Sequence, residues 1–148
     1  MKTTLMAQVT NSIFEVMETM FFMTLEELNA SGSQRLPQPA GEMIASAISF
    51  SGKFSGTIFL EIPLHLLETM TENFMGQEME SLSREYTEGT LKEALNMVAG
   101  NALTRMDPSV YMGLGIPQIV PSPAPDGVDD TVILTSGRDI LMAHVRLN

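Results

Sequence analysis

A carboxylate and an amide three residues apart, Glu93 and Asn96, are the best-placed polar groups in this sequence. At about 100° per residue on a helix, Leu91, Leu95, Val98, Ala102 and Met106 gather on one side. Glu93 and Asn96 fall on the opposite side, with Gly89 and Gly100 on their stripe and Met97 and Thr104 nearby. Solvated helix positions are normally filled by strong helix formers. Asn and Gly there cost about 0.5 and 1 kcal/mol relative to Ala. Glycine also lets another body approach the backbone closely. The arrangement is that of a contact face, with a carboxylate and an amide presented outward.

Other chemistries are excluded by what the chain lacks. It has no Cys, so there is no disulfide framework and no thiolate metal site. His65 and His144 stand far apart with no ligand pattern and are expected to face solvent. Asp126, Asp129 and Asp130 do not have calcium-loop spacing. No Ser/His/Asp constellation and no phosphate-cradling glycine loop is present. The chain is expected to bind no metal itself. Its 148 residues carry 18 acidic against 8 basic side chains, a net charge of −10, which argues against nucleic acid as a partner. The 13 Met fall mostly at core spacings, where Met is a flexible filler, with Met97 expected to be exposed.

The elements that must position the pair follow from periodicity. One domain, 1–148, is expected. Residues 5–28 read as a long helix, with Met6, Val9, Ile13, Val16, Met17 and Met20 on one face. A loop with Pro37 and Pro39 follows. Residues 43–50 and 54–62 read as two strands, the second alternating Ile58, Leu60, Ile62 against Thr57, Phe59, Glu61, with Gly56 marking a bulge or close backbone approach. Pro63 opens a helix over 64–75 that Gly76 closes. The helix of Glu93 and Asn96 starts at 84 or 90 and ends at 106, before Asp107-Pro108. Short apolar runs follow at 109–120, and 131–136 and 139–147 form a hairpin around Ser136-Gly137. The Pro-rich stretch 121–130 is a loop. No apolar run approaches the roughly 18 residues of a membrane span, and Gln8, Asn11, Glu15 and Glu18 interrupt any signal-peptide core. A soluble, cytoplasmic protein without membrane contact is expected.

The order repeats. Glu15-Val-Met-Glu18-Thr-Met-Phe-Phe22 aligns with Glu93-Ala-Leu-Asn96-Met-Val-Ala-Gly100 at an offset of 78 residues (93 minus 15), close to half the chain. This suggests a degenerate duplication of helix–hairpin units.

The string Leu91-Lys92-Glu93-Ala94-Leu95-Asn96-Met97-Val98-Ala99-Gly100-Asn101, with Gly115-Ile116-Pro117-Gln118-Ile119-Val120 downstream, resembles the CheX/CheC-type chemotaxis phosphatases, closest to the single-site CheX branch. The resemblance implies an α+β, CheC-like fold with long helices packed on an antiparallel β-sheet, and a homodimer. It implies dephosphorylation of a phospho-aspartyl response regulator of the CheY type, which brings its own Mg²⁺ and Lys. Asn96 would orient the attacking water and Glu93 would pair with the regulator's Lys; Met97, Gly100 and Gly89 would contact the partner. Gly89 stands where the family carries Asp or Ser. On the first helix the corresponding pair is Glu15 and Glu18, which lacks the amide, so that face is not expected to be a second catalytic site.

Three competing readings remain open. Thr90-x-x-Glu93 matches a capping box, in which Glu93 would satisfy the Thr90 backbone N–H and need no partner. Gly89 favours a catalytically silent CheX-like dimeric module that binds a signalling partner without hydrolysis. The third is an acidic structural dimer unrelated to signalling, with Glu93 folded back and Asn96 covered.

Overall fold

The computed structural model describes residues 2–28, 41–76, 83–109, 112–122 and 126–148. The loop at 29–40 and the prolines at 123 and 125 lie outside the described residues. The described elements run in chain order as α1 (Lys2–Phe21), β1 (Glu26–Glu27), β2 (Met43–Ser51), β3 (Gly56–Pro63), α2 (Leu64–Met75), α3 (Arg84–Met106), β4 (Gly113–Leu114), β5 (Gln118–Val120), β6 (Asp130–Ser136) and β7 (Asp139–Leu147).

Helix α1 buries Leu5, Met6, Val9, Ile13, Val16, Met17 and Phe21 at three- and four-residue steps. It stops at Phe21, not at 28 as the apolar periodicity predicts. Phe22 adopts a left-handed φ of 57°, and the Met23 amide turns back to the Met17 carbonyl at 3.0 Å. The apolar residues run on through this turn because Leu25, past the helix, is also buried. Met20, expected on the buried face, is 37% exposed.

The strands form one antiparallel sheet in the order β1-β6-β7-β3-β2-β4, with β5 also paired to β2. Two hairpins, β2/β3 and β6/β7, meet at the β3–β7 seam, where Ile58 faces Val145 and Leu60 faces Ala143. The short strand after each long helix pairs with the other half's hairpin. Thus β1, after α1, joins β6, while β4 and β5, after α3, join β2. This exchange is the structural form of the duplicated helix–hairpin unit. Helices α1 and α3 pack on each other and on one face of the sheet, so that Ile48, Ile58, Leu95, Val98 and Leu141 share one core.

Strand β3 is buried along its whole length, although its sequence alternates. It is central, so the helices cover one face. On the other, the Arg146 guanidinium lies 5.3 Å from the Phe59 ring centroid, and Glu61 is 1% exposed. Gly56 meets the close approach its type predicts: a Cβ there would sit 2.3 Å from the Arg146 carbonyl oxygen.

His144 corrects an expectation. It is 7% exposed and not solvent-facing, because β7 places it on this covered outer face, opposite Phe59 and Thr131. Its Nε2 lies 2.6 Å from Glu61 Oε2 and its Nδ1 2.8 Å from Thr131 Oγ1. Ser122 Oγ donates to the other Glu61 oxygen at 2.8 Å. A buried carboxylate is thereby partnered, as burial requires. His65 is exposed, as expected, beside Asp139.

Candidate functional site

Helix α3 begins at Arg84. Ser83 is its N-cap, with a side-chain oxygen accepting from the Tyr86 amide at 3.4 Å. Thr90 therefore lies inside the helix, where its Oγ1 donates to the Tyr86 carbonyl at 2.9 Å. The capping-box reading of Glu93 is overturned, because Thr90 has no open helix end to serve. Glu85 in the first turn and Arg105 in the last complement the helix dipole.

Leu91, Leu95, Val98 and Ala102 are buried, and Glu93 and Asn96 are exposed on the opposite side. Among the described residues, neither side chain makes a hydrogen bond or ion pair. The outward stripe is longer than the pair: exposed Tyr86, Gly89, Glu93 and Asn96, half-buried Gly100 and exposed Thr104 follow one another at steps of three and four. Met97 departs from expectation. It is half-buried and packs against the core, since its position lies at the edge of the stripe and not on it.

Both glycines have room for a side chain. Among the described residues, a Cβ on Gly89 would meet nothing within 4 Å, and one on Gly100 would meet only Leu114 Cδ1 at 3.8 Å. Packing against the described residues therefore does not demand glycine at either place, although each costs the helix about 1 kcal/mol relative to Ala.

Two concave surfaces flank the pair. A groove of about 520 Å³ lies where the end of α2 meets the start of α3, with Phe74, Met75, Tyr86, Gly89, Lys92 and Glu93 among its lining. A depression of about 480 Å³ beyond Gly100 is lined by Thr104, Asp107, Met112 and Leu114. At that end Ser109 donates to Asp107 from its Oγ at 2.6 Å and from its amide at 3.1 Å. The Ser109 side-chain bond, then its backbone bond, hold the Asp107 carboxyl below its ordinary value. Sequence reasoning missed the first groove. The signal was Tyr86, which extends the Glu93–Asn96 stripe by one step beyond Gly89.

The corresponding face of α1 differs. Glu15 and Glu18 are both exposed, but Glu15 is bonded by the Arg105 guanidinium from α3. Among the described residues, no group of three or more His, Cys, Asp or Glu side chains could hold a metal ion. No described helix is long and apolar enough to cross a membrane. The face thus presents a carboxylate and an amide that no described residue engages.

The family model described as "Chemotaxis phosphatase CheX" matches residues 44–124, more than half of the chain, and spans this helix. The chain belongs to the CheX family. The matched segment takes in β2 through β5 and includes Glu93, Asn96 and both stripe glycines. Solved structures agree in fold. The chemotaxis protein CheX from Vibrio vulnificus superposes with a TM-score of 0.76 at 16% identity, covering 97% of this chain and 99% of that one. A CheC-like protein from Shewanella oneidensis gives 0.74 at 18% identity, with all of both chains covered. CheX in a CheX–CheY–BeF3–Mg²⁺ complex from Borrelia burgdorferi gives 0.70 at 14% identity, covering 97% of each chain. No curated protein matches the sequence. The α+β architecture, with long helices on an antiparallel sheet, is that of the CheX/CheC structures.

Proposed function

We propose that this CheX-family chain dephosphorylates a phospho-aspartyl response regulator of the CheY type. One observation carries the reading: Glu93 and Asn96 stand together, exposed and unengaged by any described residue, on the open face of a helix otherwise locked into the core. The CheX chain of the Borrelia complex, similar in fold, was captured with CheY.

The reaction asks little of the chain's own chemistry. Water attacks phosphorus, the bond from phosphorus to the regulator's aspartyl oxygen breaks, and inorganic phosphate and a carboxylate leave. The Asn96 amide can accept a hydrogen bond from that water with its oxygen and donate to a phosphoryl oxygen with its nitrogen. Holding a reactant in line in this way can supply much of a rate enhancement. Glu93, a turn away, pairs with the regulator's Lys and fixes the register of α3 across the site. The regulator's own Mg²⁺ neutralises phosphoryl charge when bound; this chain's residues position and do not ligate it.

The test is the lifetime of a phosphorylated regulator in Mg²⁺, with and without the protein. The parent shortens it and Asn96→Ala does not, with fold and stability retained. A second reading draws on Gly89, which stands where the family carries Asp or Ser: a CheX-like module that binds the regulator without hydrolysis. It predicts binding with an unchanged phosphate lifetime. Homodimerisation, implied by the family resemblance, is tested by sedimentation.

A further inference from the structure

Three of the large apolar side chains that remain exposed converge on one place. Phe74, Met75 and Tyr86 are 48%, 38% and 52% exposed, and all three line the groove between the end of α2 and the start of α3. Exposed apolar side chains scattered singly need no explanation, but a cluster in a concavity marks a contact site. The floor includes Gly89, whose bare backbone is flanked on its own stripe by Tyr86 three residues before and Glu93 four residues after. Among the described residues, nothing occupies the space a Cβ would take there. A glycine that weakens its helix and serves no internal packing is accounted for by a body that lies against it from outside.

We infer that this groove receives an apolar side chain of the phosphorylated regulator, carried close to the cation that Glu93 meets. The inference rests on the phosphatase reading and adds how the partner is held. Two features select this occupant. The groove shares Gly89 and Glu93 with the proposed catalytic face, so it continues the surface on which a regulator over Asn96 would sit. Among its described lining residues the charged ones are Glu85, Glu93 and Lys92, a balance that favours an apolar group flanked by positive charge. Tyr86 is the anchor of the contact: Tyr is among the residue types on which interface affinity concentrates. The apolar pocket and the catalytic pair are thus neighbouring parts of one footprint, the first setting affinity and the second setting turnover.

The experiment follows phosphate release from a phosphorylated regulator with Mg²⁺ as regulator concentration is varied, for the parent, Tyr86→Ala and Gly89→Ala. Tyr86→Ala raises KM about tenfold and Gly89→Ala about fivefold, with kcat kept within about twofold. Gly89→Ala also raises Tm, so that its stability and its affinity move in opposite directions, which a merely structural glycine would not do. Parent KM in both variants overturns the inference while leaving the phosphatase reading intact. A change in self-association on Tyr86→Ala, seen by sedimentation, assigns the groove to a second copy of the chain and also overturns it. If the parent leaves the phosphate lifetime unchanged, the phosphatase reading fails; the groove is then tested by titration calorimetry with the phosphorylated regulator. Weaker binding by Tyr86→Ala supports it there, and equal binding sinks it.

Discussion

Arg105, in the last turn of α3, bonds the carboxylate of Glu15 on α1 and so ties the two long helices together on their solvent side. The duplicated fold presents two outward polar pairs, and this contact makes them unequal. Glu15 is engaged and its companion Glu18 carries no amide, whereas Glu93 and Asn96 are both unengaged among the described residues. Two copies of one supersecondary unit thus present different surfaces.

The first prediction concerns this asymmetry. Glu18→Ala and Arg105→Ala leave the phosphorylated-regulator lifetime at the parent value. Arg105→Ala costs at most about 1 kcal/mol by chemical denaturation, because an exposed ion pair contributes little. A lengthened phosphate lifetime in Glu18→Ala would show that the α1 face takes part.

A second prediction uses Gly100. Its missing Cβ would lie 3.8 Å from Leu114 Cδ1, an ordinary contact. Gly100→Ala therefore stabilises the protein by about 0.5–1 kcal/mol, read as a higher denaturation midpoint with an unchanged slope. A loss of stability would mean that the helix backbone there is strained in a way the geometry does not show.

The buried pair across the β3–β7 seam gives a third. Glu61 is 1% exposed and meets both His144 and Ser122. His144→Ala leaves that carboxylate short of a partner in a covered place and costs about 3 kcal/mol. Replacing Glu61 and His144 together by apolar residues of similar volume costs less than His144→Ala alone. Additive losses in a double-mutant cycle would contradict a coupled pair.

Much of this was legible from residue types. Pro63 and Gly76 bracket α2, and Gly76 takes the left-handed φ of 73° that a closing glycine supplies. The hairpins and the two-sided character of α3 follow from periods of two and 3.6 residues. Illegible features arise where a local signal competes with a distant one. Thr90 and Glu93 carry a capping motif, but Ser83 starts the helix two turns earlier. The end of α1 lacks glycine and proline, so Phe22 conceals the turn. His144 looks solvated until β7 is set beside β3, 83 residues away in sequence from its partner Glu61. The groove beside Glu93 required α2 and α3 to be brought together, and only Tyr86 hinted at it.

The central claim is that Asn96 supplies the positioning on which hydrolysis depends. The most direct measurement is the decay rate of a phosphorylated CheY-type regulator in Mg²⁺, with parent protein, Asn96→Ala and no addition. The account predicts faster decay with the parent, and with Asn96→Ala a loss of at least about 100-fold in the protein-dependent rate, with parent-like folding and regulator binding. An Asn96→Ala protein that accelerates decay as well as the parent would contradict it.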